Sequence, residues 1–138
     1  DSIKVWGFWN ILGEEAFGRP SEEEIRPWYW AWSLMCRYFP KGCDINAVEL
    51  TGSGELRACA AESDGRHTVA VVNWSSEDVQ ISMQVPYTFL NASVYVYEES
   101  GAYRDAEGSL VPSLTGICGD AVSVNVPAQS LTVITDMQ

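Results

Sequence analysis

Two hydrophobic periods divide this chain. In RPWYWAWSLMCRYFP, Arg26 to Pro40, apolar residues recur at helical spacing: Trp28, Trp32, Met35 and Phe39 share one stripe, and Trp30, Leu34 and Tyr38 another on roughly the opposite side. Only Ser33 and Arg37 break the apolar wrap. A helix that is hydrophobic all round needs burial all round. Upstream, Ser21 stands three residues before Glu24, a capping-box spacing, and the acidic run between them suits the positive end of a helix dipole. Pro27 is tolerated only in a first turn. The pattern therefore predicts either a helix from Ser21 or a short turn at 21–25 with the main helix starting near Arg26; Pro40 and Gly42 end it.

From Ala47 onward the period drops to two. Leu56, Ala58 and Ala60 alternate in ELRACAAE, SDGR supplies a turn, and HTVAVVNW is a β-branched run, so these stretches predict a hairpin. Val79, Ile81, Met83 and Val85 alternate strictly with polar residues, which predicts a strand buried on one face. ASVYVYEE, AVSVNVP and SLTVITD add three more strands, and AVEL and the stretch from Tyr103 to Val111 complete the set. The fold expected is mainly β: an antiparallel sandwich of about seven or eight strands with one N-terminal helix packed against it. The first ten residues, with Ile3, Val5, Trp6, Phe8 and Trp9, read as a further strand ending at Asn10, before a loop carrying Gly13 and Gly18. The expected division is a strand–loop–helix segment at 1–45 and a sandwich at 46–138.

Length and charge narrow the function. A chain of 138 residues can bury a proper core without disulfides or a metal. Its 19 acidic and 8 basic residues give a net charge of -11, which opposes nucleic acid phosphates and anionic membrane surfaces. The excess lies in short runs such as Glu22-Glu23-Glu24 and Glu98-Glu99, which read as solvated surface. The apolar window between Arg26 and Arg37 is about half of the ~20 residues a membrane span requires. No basic and apolar leader opens the sequence, so the chain is expected to be mature, cytoplasmic or part of something longer, and secretion is left open. Cys36, Cys43, Cys59 and Cys118 lack zinc-site spacing, and their small or apolar neighbours suit buried free thiols; if a disulfide forms, Cys36–Cys43 is the expected one.

The segment RPWYWAWSLMCRYFPKGCDI resembles the last barrel helix, and its exit, of TIM-barrel glycoside hydrolases in the large retaining superfamily that includes xylosidases, glucosylceramidases and arabinofuranosidases. HTVAVVNWSSEDVQISMQV is similar to strands of the C-terminal β-sandwich of those enzymes, and VSVNVPAQSLTVIT to its closing hairpin. The resemblance implies that IKVWGFWN is the final barrel strand. It also implies a helix wedged between barrel and sandwich, with Trp28, Trp30, Trp32, Leu34 and Tyr38 as barrel-packing residues, which accounts for the missing wet face.

Retaining glycoside hydrolysis needs two carboxyl groups about 5 Å apart. In the resembled enzymes they end the fourth and seventh barrel strands, so a chain beginning at the eighth carries neither, and no catalytic residue is expected here. Glu14 and Glu15 follow the expected strand end but read as solvated loop charge. His67, the single histidine, is expected as an edge-strand surface residue, and no cofactor or metal is expected. TGSGELR lacks the lysine of a phosphate loop, DAEG is too short for a calcium loop, and no G-x-S-x-G elbow occurs. Of two glycosylation sequons, Asn73-Trp74-Ser75 and Asn91-Ala92-Ser93, the first reads as a strand residue matching by chance.

What remains is sugar binding, since sugar rings stack their C–H faces on flat aromatics. The resemblance makes Trp9, or failing that Trp6, the floor of a sugar site; Trp74, Tyr95 and Tyr97 are either further platforms or packing residues. The expected function is a non-catalytic accessory module of a glycoside hydrolase whose partner is the barrel of the same polypeptide. The alternative is a free-standing carbohydrate-binding module with an aromatic platform. Oligosaccharide is the candidate ligand, required by the second reading and left open by the first, and an uncovered aromatic helix would drive self-association.

Overall fold

A computed structural model describes residues 27–52, 54–98 and 101–138; Trp6, Trp9, Glu14, Glu15 and the expected first strand lie outside the described residues. One helix, α1 (Pro27–Tyr38), is followed by seven strands: β1 (Asp44–Ala47), β2 (Leu56–Ser63), β3 (Arg66–Asn73), β4 (Val79–Glu98), β5 (Gly101–Ala102), β6 (Leu114–Val126) and β7 (Ser130–Thr135). Every strand pairing is antiparallel. The helix is described from Pro27; residues 21–26, on which the two expected starts differ, lie outside the described residues.

The main layer runs β1-β2-β3-β7-β4-β5, and β6 pairs with β4 alone. Strand β4 belongs to both layers. Val79–Gln84 pairs with β6, while Ser93–Tyr97 pairs with β7. From Gln84 to Val94 the register with β6 shifts three times, Pro86 interrupts the ladder, and Asn91 takes a left-handed backbone with φ 68°. These bulges bend the strand without ending it. The two stretches expected as separate strands, DVQISMQV and ASVYVYEE, are thus one element. The bend folds the β4–β6 ribbon over the main sheet, forming the sandwich.

Alternation then assigns the faces. Val69 and Val71 of β3, Val94 and Val96 of β4, and Ile134 of β7 point between the layers, where they meet Val122, Val124 and Val126 of β6 with Ile81, Met83 and Phe89. Their sequence neighbours Ala70, Tyr95 and Val133 face the other way and receive α1 through Leu34 and Tyr38. The β2–β3 turn has positive φ at both Asp64 and Gly65, the backbone of a tight hairpin turn whose twist matches its strands. Two expected strands are displaced. The edge strand begins at Asp44 rather than Ala47, and the Tyr103–Val111 stretch is a loop closed by an Arg104–Leu110 bridge beyond the two-residue β5.

Candidate functional site

Three places on this scaffold bring chemistry-bearing side chains together. The first is the seam between α1 and the main sheet. Leu34 and Tyr38, one helical turn apart, are fully buried against Ala70 and Val133, with Met35 and Phe39 packed at their flanks. The rings of Tyr38 and Tyr95 sit 5.0 Å apart. Burial first, and then a hydrogen bond with Tyr95, hold the Tyr38 hydroxyl well above the usual phenol range; Arg37, 5.4 Å from the Tyr38 ring, opposes this weakly. Toward the helix start, Trp30 is buried under the Arg104 guanidinium, 5.0 Å from the ring centre, and meets Tyr29 edge-on. Trp32 is half-buried; Trp28 belongs to α1, and its side chain lies outside the described part. Of the residues expected to pack on a barrel, Trp30, Leu34 and Tyr38 therefore lie in or beside the seam with this chain's own sheet.

The second cluster surrounds His67 and corrects the expectation of an edge-strand surface residue. Strand β3 is flanked by β2 and β7, and the imidazole stacks on Tyr87 with ring centres 3.5 Å apart and planes 7° from parallel. The cause is β4, whose crossover swings Tyr87 over the start of β3. Nε2 of His67 lies 3.9 Å from Glu62, its cross-strand partner. Its backbone N–H donates to Oδ1 of buried Asp136 at 2.7 Å, and Oδ2 of Asp136 accepts the N–H of Leu90 at 3.2 Å. Desolvation, followed by the charges of Asp136 and Glu62, pushes the Tyr87 hydroxyl up to about 12. Both His67 Nδ1 and the Tyr87 hydroxyl are buried without a hydrogen-bond partner, so the cluster ties chain segments together and presents no proton-transfer pair.

The third is the β3–β4 connection. Asn73 ends β3 fully buried, and its amide nitrogen faces the carbonyls of Glu77 at 2.8 Å, Pro127 at 3.0 Å and Val126 at 3.2 Å. Its Oδ1 accepts from the backbone N–H of Ser75 at 3.0 Å, with the Ser75 hydroxyl at 2.8 Å. Trp74, between these two buried residues, is 65% exposed. Asp78 closes the loop by accepting the N–H of Ala128 at 2.9 Å; that bond, and then one from Asn125, hold its carboxyl below the usual range. Asn73 is thus a buried anchor and no glycan acceptor, as its strand position implied. No signal along the sequence pointed to this anchoring, because the acceptors come from residues 77, 126 and 127.

The four cysteines are free; Cys36 and Cys118 are exposed, against the expectation of burial, because they fall on the outer side of α1 and on the outer rim of the β4–β6 ribbon. Burial, and then the neighbouring Cys43, push the Cys59 thiol up. Among the described residues no group of three metal-ligating side chains occurs, and no helix is long and apolar enough to cross a membrane.

No family model matches the chain, and a search of the curated proteins finds no match. Solved structures do resemble it. A GH30 endoxylanase from Clostridium papyrosolvens C71 aligns with a TM-score of 0.66 at 13% identity, over 83% of this chain and 28% of that one. A glycoside hydrolase family 30 subfamily 8 xylanase, Xyn30A, from Clostridium acetobutylicum aligns at 0.63 and 14% identity, over 81% and 28%. The catalytic domain of GH30 xylanase C from Talaromyces cellulolyticus aligns at 0.50 and 16% identity, over 77% and 23%. At these identities the likeness is one of fold, and the chain spans little more than a quarter of the length of the two clostridial enzymes.

Proposed function

We propose that this chain is the C-terminal, non-catalytic β-sandwich region of a TIM-barrel glycoside hydrolase, where it packs against the barrel and stabilises it. One observation carries this reading: a fold shared over 83% of the chain with a segment amounting to 28% of a GH30 endoxylanase. The helix supports it. Leu34 and Tyr38 seat α1 on the sheet, as the last helix of a barrel would sit on its sandwich. On this reading the catalytic carboxylates lie upstream of Asp1, Trp9 or Trp6 contributes an aromatic wall to the sugar site, and the chain by itself self-associates through the helix.

The mass of the native polypeptide in its source cell, read by immunoblot with an antibody against this chain, tests the proposal. A band exceeding this chain by at least the ~250 residues of a barrel is expected. A band at the size of this chain would overturn it and favour a free-standing carbohydrate-binding module.

A further inference from the structure

We propose that Trp74 is a sugar-stacking platform at the end of the sandwich, binding a neutral polysaccharide chain. The choice of ligand class rests on the glycoside hydrolase reading above; the site itself rests on the loop. Trp74 is 65% exposed, while Asn73 before it is 1% and Ser75 after it 9% exposed. A mobile loop with an indole this large would ordinarily fold it onto apolar surface. This loop is held instead. The Trp74 N–H donates to the carbonyl of Glu55 at 3.0 Å, and the side-chain amide of Gln129 donates to the Trp74 carbonyl. The same amide lies 3.0 Å from the Ser75 carbonyl, which also accepts the Gln129 backbone N–H at 3.1 Å. Gln129 sustains this with a left-handed backbone, φ 50°. With the Asn73 and Ser75 bonds already described, the main chain on both sides of the indole is fixed from the β2 end, the β3 end and the β6–β7 turn. The ring is therefore presented outward on a preorganised frame, so binding need order little more than two side-chain torsions.

What surrounds the ring selects the ligand. Ser76, Glu77 and Asp78 are exposed on the same loop and offer hydroxyl and carboxylate groups to sugar hydroxyls. Carboxylates here, on a chain of net charge -11, disfavour acidic polysaccharides and anionic lipids, leaving neutral glycans whose rings expose a flat C–H face. The hairpin turn joining β6 to β7 is tied to the loop through Asp78 and Gln129.

The test is calorimetric titration of the full chain, in the form in which it occurs in the cell, with xylohexaose and with cellohexaose. Trp74→Ala is expected to weaken binding roughly tenfold or more, Trp74→Tyr to retain most of it, and Tyr103→Ala, an exposed aromatic on another loop, to change nothing. Because the frame bonds to Trp74 involve its backbone, the variant keeps the fold, and an unchanged thermal midpoint verifies this. Binding unaffected by Trp74→Ala, or no binding of either oligosaccharide by the unaltered protein, overturns the proposal. Should the immunoblot show the longer polypeptide while titration shows no binding, the platform falls and the accessory-module reading stands.

Discussion

Replacing Asn73 by alanine removes a side chain that joins the end of β3 to the β3–β4 loop and to the β6–β7 turn. The magnitude follows from counting. The amide carries two protons spread over three carbonyls, and Oδ1 accepts from the Ser75 N–H and faces its hydroxyl, so about four bonds are made at once. At roughly 1 kcal/mol net for each, with a further cost for carbonyls left buried and unpaired, Asn73→Ala should destabilise by about 4 kcal/mol, a large part of a typical total of roughly 5–15. Urea unfolding followed by tryptophan fluorescence measures this, read as a shift in midpoint at constant slope. Asn73→Asp is the sharper control: nearly the same shape, but its carboxylate faces three carbonyls with no proton to give, so it should cost at least as much as alanine at neutral pH and recover part of the loss in acid. Ser75→Ala removes only the hydroxyl's share, about 1 kcal/mol. Because the two residues share bonds, the double variant should lose less than the sum of the singles. A loss below about 1 kcal/mol for Asn73→Ala would refute the reasoning, since it would mean that water replaces the amide and the turn is not held by it.

Leu34→Ala empties a fully buried site between α1 and the sheet and should cost about 2–5 kcal/mol in urea unfolding; a loss below about 1 would show that the helix contributes little to the fold. Tyr87→Phe removes a buried hydroxyl that has no partner while leaving the stack on His67, so stability at neutral pH should be unchanged or slightly raised, and a clear loss would reveal a bond to that oxygen. The same variant carries a pH signature: the folded-state value near 12 lies above the unfolded value of 10.0, so the protonated phenol's stabilising share is complete below pH 10 and lost as pH rises toward 12. Tyr87→Phe should flatten that alkaline decline, and an identical decline in both proteins would assign it elsewhere.

The period-two segments were legible because alternation is a local property. Val79, Ile81, Met83 and Val85 face inward as their spacing requires, and the hairpin at SDGR turns where Asp64 and Gly65 can hold positive φ. Non-local pairings were not legible. The stretch from Pro86 to Asn91 separates the two strands expected along the chain, yet β4 passes through it with bulges, because β6 keeps pairing β4 from Val79 to Val94 and β7 then pairs Ser93–Tyr97. The insertion of β7 between β3 and β4 and the stacking of Tyr87 on His67 follow from that crossover, so neither leaves a trace in local pattern. Among the aromatics left between packing and platform, the answer depended on which sheet face each met. Tyr95 and Tyr97 pack beside the helix seam, whereas Trp74, one residue past the end of β3, meets solvent.

Helix α1 shows how far an apolar wrap needs covering. At about 100° per residue, Trp30, Leu34 and Tyr38 cluster around one direction, and the second stripe of Trp28, Trp32, Met35 and Phe39 centres about 130° away rather than diametrically opposite. Its members at the C-terminal end, Met35 and Phe39, can therefore still reach the flanks of the sheet cluster, and they do. The exposed Cys36 points away from the sheet, with Ser33 and exposed Arg37 on the flank opposite Met35 and Phe39, so the last turns meet water through residues that tolerate it. Tyr29 and Trp32, nearer the start of the helix, are half-buried. The Arg104 guanidinium covers the buried Trp30 ring, so toward the helix start burial on the sheet side comes from a loop cation as well as from the sheet.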